Sequence, residues 1–565
     1  MKNKMGFKKN QLNIPAMPVA LAWAVLLILE LAVLFYYGNQ KAGFHEDELY
    51  TYYSSNKTAG LFVNDRQWME RDELRNDFVV LPGEGFRYDV VWQMQSWDVH
   101  PPLYYFLFHT VCSLFPGVFS KWLGIGLNLL FFAGSFMLLA YCAYMAVVCG
   151  KKEALPEGVW GENRSGGWNC RAGMLAFFTC LFWGFSAAVV SGVMFIRMYQ
   201  QLTFFVLLCL ALHLRALNKQ DFRIRSFFLP LAVTVFLGFL TQYYYIIFHF
   251  FLGAGFCVYL LGKKKIKELV LYVISCGAGL FAAVLYYPPA LSHIFRGYRG
   301  TEAVSEFGDA SNTFGRLRFF AGLFDDYVAN GTLSVWLLAL VLLAVTAGYL
   351  RKKGRHTGKM AVNPAALLML FTAAGYFFTV SKTALLLGET SNRYQLPVYG
   401  ILCFLLLYGT WGVLERLFLK GAAGKRYSKA LMAMIGVAIL AIDFAALGQG
   451  KVFFLYEEEK EIMGFVKEHK DVPVVVFYQE ASGNHIWWLS DELMEYPRVY
   501  LAGTGNKEAI AEEEITGSDS LVVYVADPEN GEECLQGLLA VNKNLSSYEL
   551  VAEKGRGVWR LYELR

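Results

Sequence analysis

Residues 25–55 read VLLILELAVLFYYGNQKAGFHEDELYTYYSS. An apolar run ends near Tyr37, and soon afterwards the chain presents His45, Glu46, Asp47 and Glu48 side by side. A hydrophobic segment that runs into four ionisable residues sets a carboxylate cluster at a membrane surface, where charge is costly unless it is solvated or used. The run itself, near Pro18–Tyr37, has the roughly 20 apolar residues that a helix needs to cross a bilayer. Lys2, Lys4, Lys8 and Lys9 precede it and no small-residue cleavage site follows, which predicts an uncleaved first helix. Glu30 lies inside the run and is expected to face the bundle interior, bonded to a neighbour.

The composition extends this reading to most of the chain. Of 565 residues, 56% are hydrophobic and 17% charged, and the mean hydropathy is +0.37. That is too apolar for a soluble protein of this size and predicts a polytopic α-helical membrane protein. Charge divides the chain in two: residues 450–565 carry a net −11, residues 1–449 a net +15. A transmembrane domain over 1–449 followed by an acidic soluble domain over 450–565 fits this asymmetry. Nine of the ten cysteines lie in or beside apolar segments and Cys534 stands alone in the acidic part, which excludes a disulfide framework.

After the first helix, residues 38–100 read as a long polar loop. Within it Asp65–Asp77, charged and punctuated by Trp and Leu, suits a short interfacial helix. Residues 101–120 begin with two prolines and contain Pro116-Gly117, so they read as re-entrant or interfacial. Spanning helices are expected near 122–149, 172–194, 199–214, 227–243, 246–262, 269–287, 333–350, 364–381, 397–414 and 431–448. With the first, this gives about eleven crossings; a thirteen-helix layout with one more pair is the alternative. Six segments, at 1–10, 151–171, 215–225, 263–267, 351–359 and 416–429, hold 26 of the 40 Lys and Arg before residue 450. Basic loops stay in the cytoplasm, so the N-terminus is expected inside. The loops 38–100 and 288–332, and everything after 449, are expected outside. The loop 288–332, rich in Arg, Asp and Glu, has no clear structure of its own in this reading, a property of functional or mobile loops.

The acidic region changes period. Pro473–Tyr478, Arg498–Leu501, Ser520–Ala526 and Val558–Leu564 read as strands, with helical spacing at Glu457–His469 and near 506–514 and 529–541. Strands alternating with helices predict a small extracytoplasmic α/β layer domain. It has no glycine-rich phosphate loop and is assigned no chemistry.

Candidate chemistry gathers on the expected outer side. The first loop brings Glu46, Asp47, Glu48, Asp98, His45 and His100. Arg197-Met198-Tyr199, the turn at Gln242-Tyr243-Tyr244-Tyr245 and Asn392-Arg393-Tyr394 stand at the same boundary. A carboxylate serves as general base, and Arg matches phosphate with two parallel hydrogen bonds. Together they suit a phosphate-bearing lipid whose head group reacts with a hydroxyl or amine. Each feature also has a structural reading: the arginines can snorkel to lipid head groups, the tyrosines can form an aromatic belt, and Asp47-Glu48 can cap a helix starting at Leu49. His45, Glu46 and Asp47 offer metal-ligand atoms, but three adjacent residues are poor ligand spacing, so no metal or other cofactor is required.

Asp47-Glu48 after the first helix, the run His100-Pro101-Pro102-Leu103-Tyr104-Tyr105, Arg197-Met198-Tyr199, and Arg393-Tyr394 with Pro397 resemble the polytopic glycosyltransferases of the C-type fold. The resemblance covers residues 15 to about 450. Its nearest members are bacterial family-39-like enzymes related to protein O-mannosyltransferases and the lipid A aminoarabinose transferase. It implies a cell-membrane enzyme moving a sugar, with inversion, from a polyprenyl-phosphate donor to an acceptor in the cell envelope, without nucleic acid or nucleotide sugar. Asp47 then acts on the acceptor nucleophile, and Glu48, the second acid, orients it or the loop. Arg197, Arg393 and His100 meet the donor phosphate, and Tyr199, Tyr243, Tyr244, Tyr394 and Tyr104 line the substrate. Family members often carry His-Tyr where this chain has Gln242-Tyr243, which leaves no histidine role at that turn. The competing reading is a lipid or small-molecule transporter or flippase, which would show paired repeats and interrupted helices; no repeat is evident.

Overall fold

The computed structural model describes residues 17–57, 64–149, 170–352, 363–385, 387–418, 421–526 and 530–565. Helix α1 (Met17–Gln40) crosses first. The next loop carries α2 (Glu46–Asn56), β1 (Gln67–Glu70), α3 (Arg71–Asn76) and α4 (Tyr88–Trp97), then α5 (Leu103–Leu114). Helix α6 (Lys121–Val148) crosses, and α7 (Cys170–Gly184) with α8 (Ala187–Met194) form a span bent by 59°. Four crossings follow: α9 (Tyr199–Lys219), α10 (Leu229–Thr241), α11 (Tyr244–Gly262) and α12 (Ile266–Tyr286). Helices α13 (Pro289–Phe295), α14 (Tyr298–Gly308) and α15 (Thr313–Tyr327) occupy the next connection. The bundle closes with α16 (Leu333–Lys352), α17 (Pro364–Thr383), α18 (Leu396–Phe418) and α19 (Gly421–Gly448).

Among the described residues nine helices are long and apolar enough to cross a membrane, and the bent pair makes ten. The apolar part of α16, Leu333–Tyr349, is shorter; counting it gives the expected eleven. Helix α5 has 12 residues, about 18 Å of helix, well short of the ~30 Å hydrocarbon core. It lies against α2, α4 and α10, in keeping with a segment that does not span.

The bundle has two distinct ends. At one, the Asn218 side chain reaches the Met145 carbonyl, Asn363 that of Ala146, and Lys265 the Gln220 side chain. The basic segments 215–225 and 263–267 belong to this end. At the other, the residues after α1, the α8–α9 turn, the α10–α11 turn, α14 and the stretch before α18 converge, and the candidate chemistry is there.

The C-terminal region is an α/β domain, as expected. Its six-stranded sheet has the order β1-β3-β2-β4-β6-β5, with β2 (Val474–Tyr478), β3 (Arg498–Gly503), β4 (Leu521–Val525), β5 (Tyr548–Lys554) and β6 (Trp559–Leu564). Strand β2 is parallel to β3 and β4 and the remaining pairs are antiparallel. The run of buried residues through β2 and β4 is what a strand covered on both faces requires.

Three expectations are corrected. Asp65–Asp77 is helical only over Arg71–Asn76: Gln67–Glu70 is a strand that pairs antiparallel with Arg498–Leu501, so the first loop supplies an edge of the C-terminal sheet. The partner lies more than 400 residues away, beyond any local pattern. The loop 288–332 is mostly helical, as α13, α14 and α15. Near 506–514 only Glu513–Thr516 is helical, and β5, whose exposed and part-buried residues blur the alternation, is an added strand.

The two parts are packed together at α2. Trp487 lies on Tyr53 with ring centroids 4.1 Å apart and edge-on to Tyr50 at 5.7 Å. Ahead of the sheet, the strap at 451–456 runs under the same helix: the Ala42 amide donates to the Leu455 carbonyl at 2.7 Å, and the Phe453 amide to Ser191 Oγ at 2.9 Å.

Candidate active site

Helix α2 begins at Glu46, three residues ahead of the expected start, because His45 and Glu48 form a capping box. The Asp47 amide donates to His45 Nδ1 at 3.0 Å and the His45 amide to Glu48 Oε2 at 2.7 Å. Glu48 is fully buried, and its other contacts are Lys41 Nζ at 2.9 Å and the Ile196 amide at 2.8 Å. Lys41 in turn donates to the Phe454 carbonyl at 2.6 Å. Glu48 is thus consumed in fixing the start of α2 to the α8–α9 turn and to the strap. One residue earlier, about 100° around the helix, the Asp47 carboxylate points into a polar pocket with its side chain 22% exposed.

The α8–α9 turn is set by Asn128 of α6, buried, whose amide donates to the carbonyls of Val193 at 3.0 Å and Phe195 at 2.7 Å. Those are end-of-helix carbonyls that would otherwise lack a partner. With the turn held, Arg197 reaches the Asp47 carbonyl at 3.1 Å, Thr51 Oγ1 at 3.2 Å and His100 Nε2 at 3.2 Å. Its guanidinium carbon lies 5.9 Å from the Tyr105 ring.

Arg393 approaches from the 3₁₀ turn Glu389–Tyr394. Its Nη2 is 3.8 Å from Asp47 Oδ2. Its guanidinium carbon sits 5.2 Å from the Phe195 ring centre, 6.0 Å from Tyr199 and 5.1 Å from Tyr394. Tyr394 is edge-on to both Tyr199 and Tyr244 at 5.9 Å. These rings attract the cation without neutralising it.

A third guanidinium closes the ring. Arg299 of α14 places Nη1 3.3 Å from the same His100 Nε2 that Arg197 faces. The other nitrogen, Nδ1, is 2.8 Å from Asp98 Oδ2. Tyr287 donates to the His100 carbonyl at 3.4 Å, and Tyr243 bonds His293 at 3.0 Å beside it.

The charges are unequal. Burial raises the Asp47 carboxyl, but Arg197, His45 and Arg393 outweigh it and hold the group well below the usual carboxylate range. Burial likewise raises Asp98, and His100 and Arg197 pull it well below that range. Burial pushes the His45 imidazole down to about 3 and lowers that of His100, so both are neutral near pH 7. Lys41 and Glu48 compensate each other. Among the described residues, the guanidinium groups of Arg197, Arg299 and Arg393 thus gather around Asp47, His100 and Asp98.

Of the residues expected from the sequence, Asp47, Arg197, Arg393, His100, Tyr199, Tyr244 and Tyr394 come together here. Tyr243 stands at the margin on His293. Glu48 lies behind the pocket. Tyr104 is buried in the core, 3.5 Å from Asn128 Oδ1, and its neighbour Tyr105 faces Arg197 instead. His45 spends Nδ1 on the cap, and among the described residues no three His, Cys, Asp or Glu side chains converge as a metal set. Sequence reasoning did not single out Arg299, Tyr105 or Phe454. Position 299 lies in the charged loop 288–332, which was its only signal.

No family model and no curated protein matches the chain. Solved structures do. The chain is similar to ArnT from Cupriavidus metallidurans bound to undecaprenyl phosphate, at 14% identity and TM-score 0.48, over 96% of this chain and 98% of that one. It is also similar to the arabinosyltransferase EmbB from Mycobacterium smegmatis, at 12% identity and TM-score 0.35, over 77% and 40% of the two chains. A third is an oligosaccharyltransferase from Archaeoglobus fulgidus tethered with an acceptor peptide, at 10% identity and TM-score 0.39, over 94% and 74%. At these distances no residue's role and no substrate transfers from them to this chain.

Proposed function

We propose that this chain is an integral membrane glycosyltransferase that moves a sugar from a polyprenyl-phosphate donor to a hydroxyl of a cell-envelope glycan, lipid or protein. The observation that carries the reading is the gathering of three guanidinium groups on one spot: Arg393 stands beside the Asp47 carboxylate, and Arg197 and Arg299 both aim at His100. A polyprenyl-phosphate sugar is a phosphodiester anion, the kind of group that guanidinium forks bind. The undecaprenyl phosphate in the ArnT crystal belongs to the same class of lipid.

In this mechanism the acceptor hydroxyl donates to Asp47, which takes its proton as the oxygen attacks the anomeric carbon from the face opposite the phosphate. The bond from that carbon to the phosphate oxygen breaks and its electron pair leaves with the phosphate. The three guanidinium groups offset the growing charge in a pocket largely closed to water. Because the acceptor attacks in line, the anomeric configuration inverts. The pocket opens outside the cytoplasm, with the N-terminus inside and the C-terminal domain outside, following the basic segments at the opposite end.

The test is incubation of the purified protein with polyprenyl-phosphate sugars and a cell-envelope extract. Release of polyprenyl phosphate coupled to labelling of an acceptor is the expected result. A second reading, a lipid transporter, draws on the 59° break between α7 and α8 and on Glu30, buried beside Gly184 with neither oxygen hydrogen-bonded. Broken helices and intramembrane carboxylates mark transport pathways. Movement of lipid between vesicle leaflets without bond cleavage would favour it.

A further inference from the structure

His100 occupies an unusual position for a donor-phosphate ligand. Its Nδ1 lies 2.8 Å from the Asp98 carboxylate, which fixes the neutral ring with the proton on Nδ1. Nε2 then holds one lone pair, yet Arg197 Nη2 at 3.2 Å and Arg299 Nη1 at 3.3 Å both aim at it. One lone pair serves one N–H well. The second guanidinium, and Arg197 Nε, which has no hydrogen-bond partner, are left wanting an acceptor.

We propose, on the transferase reading above, that His100 is the group that carries the reaction's proton: Nε2 takes up a proton when a phosphate monoester enters between Arg197 and Arg299, and donates it to a phosphate oxygen. The balance is explicit. The donor diester brings one negative charge. When the sugar leaves, the phosphate becomes a monoester with two negative charges, and the acceptor proton sits on Asp47. Once Asp47 gives up that proton, the pocket holds one negative charge more than it did with the donor bound, unless another group accepts the proton. His100 is that group, and with the proton on Nε2 both arginines turn from the ring to the phosphate. Asp98 stabilises the resulting imidazolium from the other side.

The groups facing His100 come from every element packed on it. Asp98 lies on its own loop, Arg197 before α9, Arg299 on α14, Tyr105 on α5 with ring centroids 6.4 Å apart, and Tyr287 at the end of α12. Asp47 bears on it across Arg197. In the free protein burial and the two arginines lower the imidazole and Asp98 raises it, with a net shift downward. It is therefore unprotonated and ready to accept when a dianion arrives.

The test is titration calorimetry of the full chain at pH 8, in buffers of different ionisation enthalpy, with a short polyprenyl phosphate and with its methyl diester. The phosphate is a dianion at that pH. Wild type is expected to take up about one proton per monoester bound and none per diester. His100→Gln should lose the uptake and bind the monoester about 10- to 100-fold more weakly, the effect of one charge-assisted hydrogen bond. His100→Lys, which is already charged, should bind the monoester without uptake, and stands in if the Gln variant does not fold. Equal binding of both lipids by wild type without proton uptake overturns the proposal and leaves the transferase reading intact; uptake that persists in His100→Gln does the same. Failure of either lipid to bind overturns both.

Discussion

Asp47→Asn tests the centre of the mechanism with little change in shape. Arg197 bonds the residue-47 backbone carbonyl, and the capping box uses His45 and Glu48, so the amide leaves the fold of α2 in place. What changes is charge. Asp47 is the carboxylate within ion-pair distance of Arg393, at 3.8 Å, a gross attraction of about 4 kcal/mol at an effective dielectric constant of about 20. That attraction competes with the donor phosphate for Arg393. The variant should hold donor lipid as tightly as wild type or more tightly. Its turnover should fall by about 10²–10⁴, the usual cost of losing a general base, or about 3–5 kcal/mol in the barrier. The assay is transfer of radiolabelled sugar from a polyprenyl-phosphate donor, with donor affinity measured separately by calorimetry. Turnover within tenfold of wild type would remove Asp47 from the chemistry. A parallel loss of donor affinity would mean the residue organises the pocket and does not act on the acceptor.

Glu48→Ala leaves Lys41 buried without its partner and should cost about 3–5 kcal/mol of stability, read from denaturant unfolding in detergent; an unchanged midpoint would contradict the role given to Glu48. Asp47 and Asp98 have folded pKa values below their unfolded ones, so they stabilise the protein above about pH 4 and lose that contribution as the pH falls further. The thermal midpoint should begin to fall below about pH 6.5, where His45 and His100 stay neutral in the fold while the unfolded chain protonates, and fall further below about pH 4, and Asp98→Asn should reduce that second drop. Phe454→Ala removes the ring stacked on Phe195 at 4.1 Å, beneath Arg393, and should lower turnover about 10- to 100-fold through misplacement with donor affinity kept; Phe454→Leu should recover part of it. Deleting residues 65–70 exposes the β3 edge, and limited proteolysis should then cut near 498–503 faster than in wild type.

The membrane fold was legible because hydrophobic length is a local signal: α6, α9, α11, α12 and α17 fall within a few residues of where the apolar runs put them. The site was partly legible for a different reason. Asp47, Arg197 and Arg393 each stand at the polar boundary of an apolar run, where a charged side chain demands an explanation. Arg299 stands in a loop full of charge, where one more cation draws no notice, and only the packing of α14 brings it to His100. Tyr104 and Tyr105 are adjacent in sequence, yet one meets Asn128 in the core and the other faces Arg197, which no composition argument separates. The same holds for Asp47 and Glu48: two neighbouring acids, one turned to the pocket and one to a buried lysine. Strand β1 was illegible because its partner is supplied by the far end of the chain.

That distant pairing bears on how the pocket is kept in register. Helix α2 is gripped from the membrane side by the Ile196 amide and from the soluble side by Trp487 and the strap. Glu48 joins the two grips, since Lys41 binds both its carboxylate and the Phe454 carbonyl. Phe454 holds its own place in the left-handed region, at φ 65°, a conformation a bulky residue adopts only where its surroundings enforce it. Its ring also meets His45, the cap of α2, at 5.7 Å. The strap therefore touches the cap, the lysine behind Glu48 and the ring under Arg393 at once. A carboxylate and a guanidinium 3.8 Å apart on elements nearly 350 residues apart need a common support to stay at that spacing, and this strap, which leads from α19 into the C-terminal domain, supplies it. The acidic domain is in this sense part of the pocket's construction.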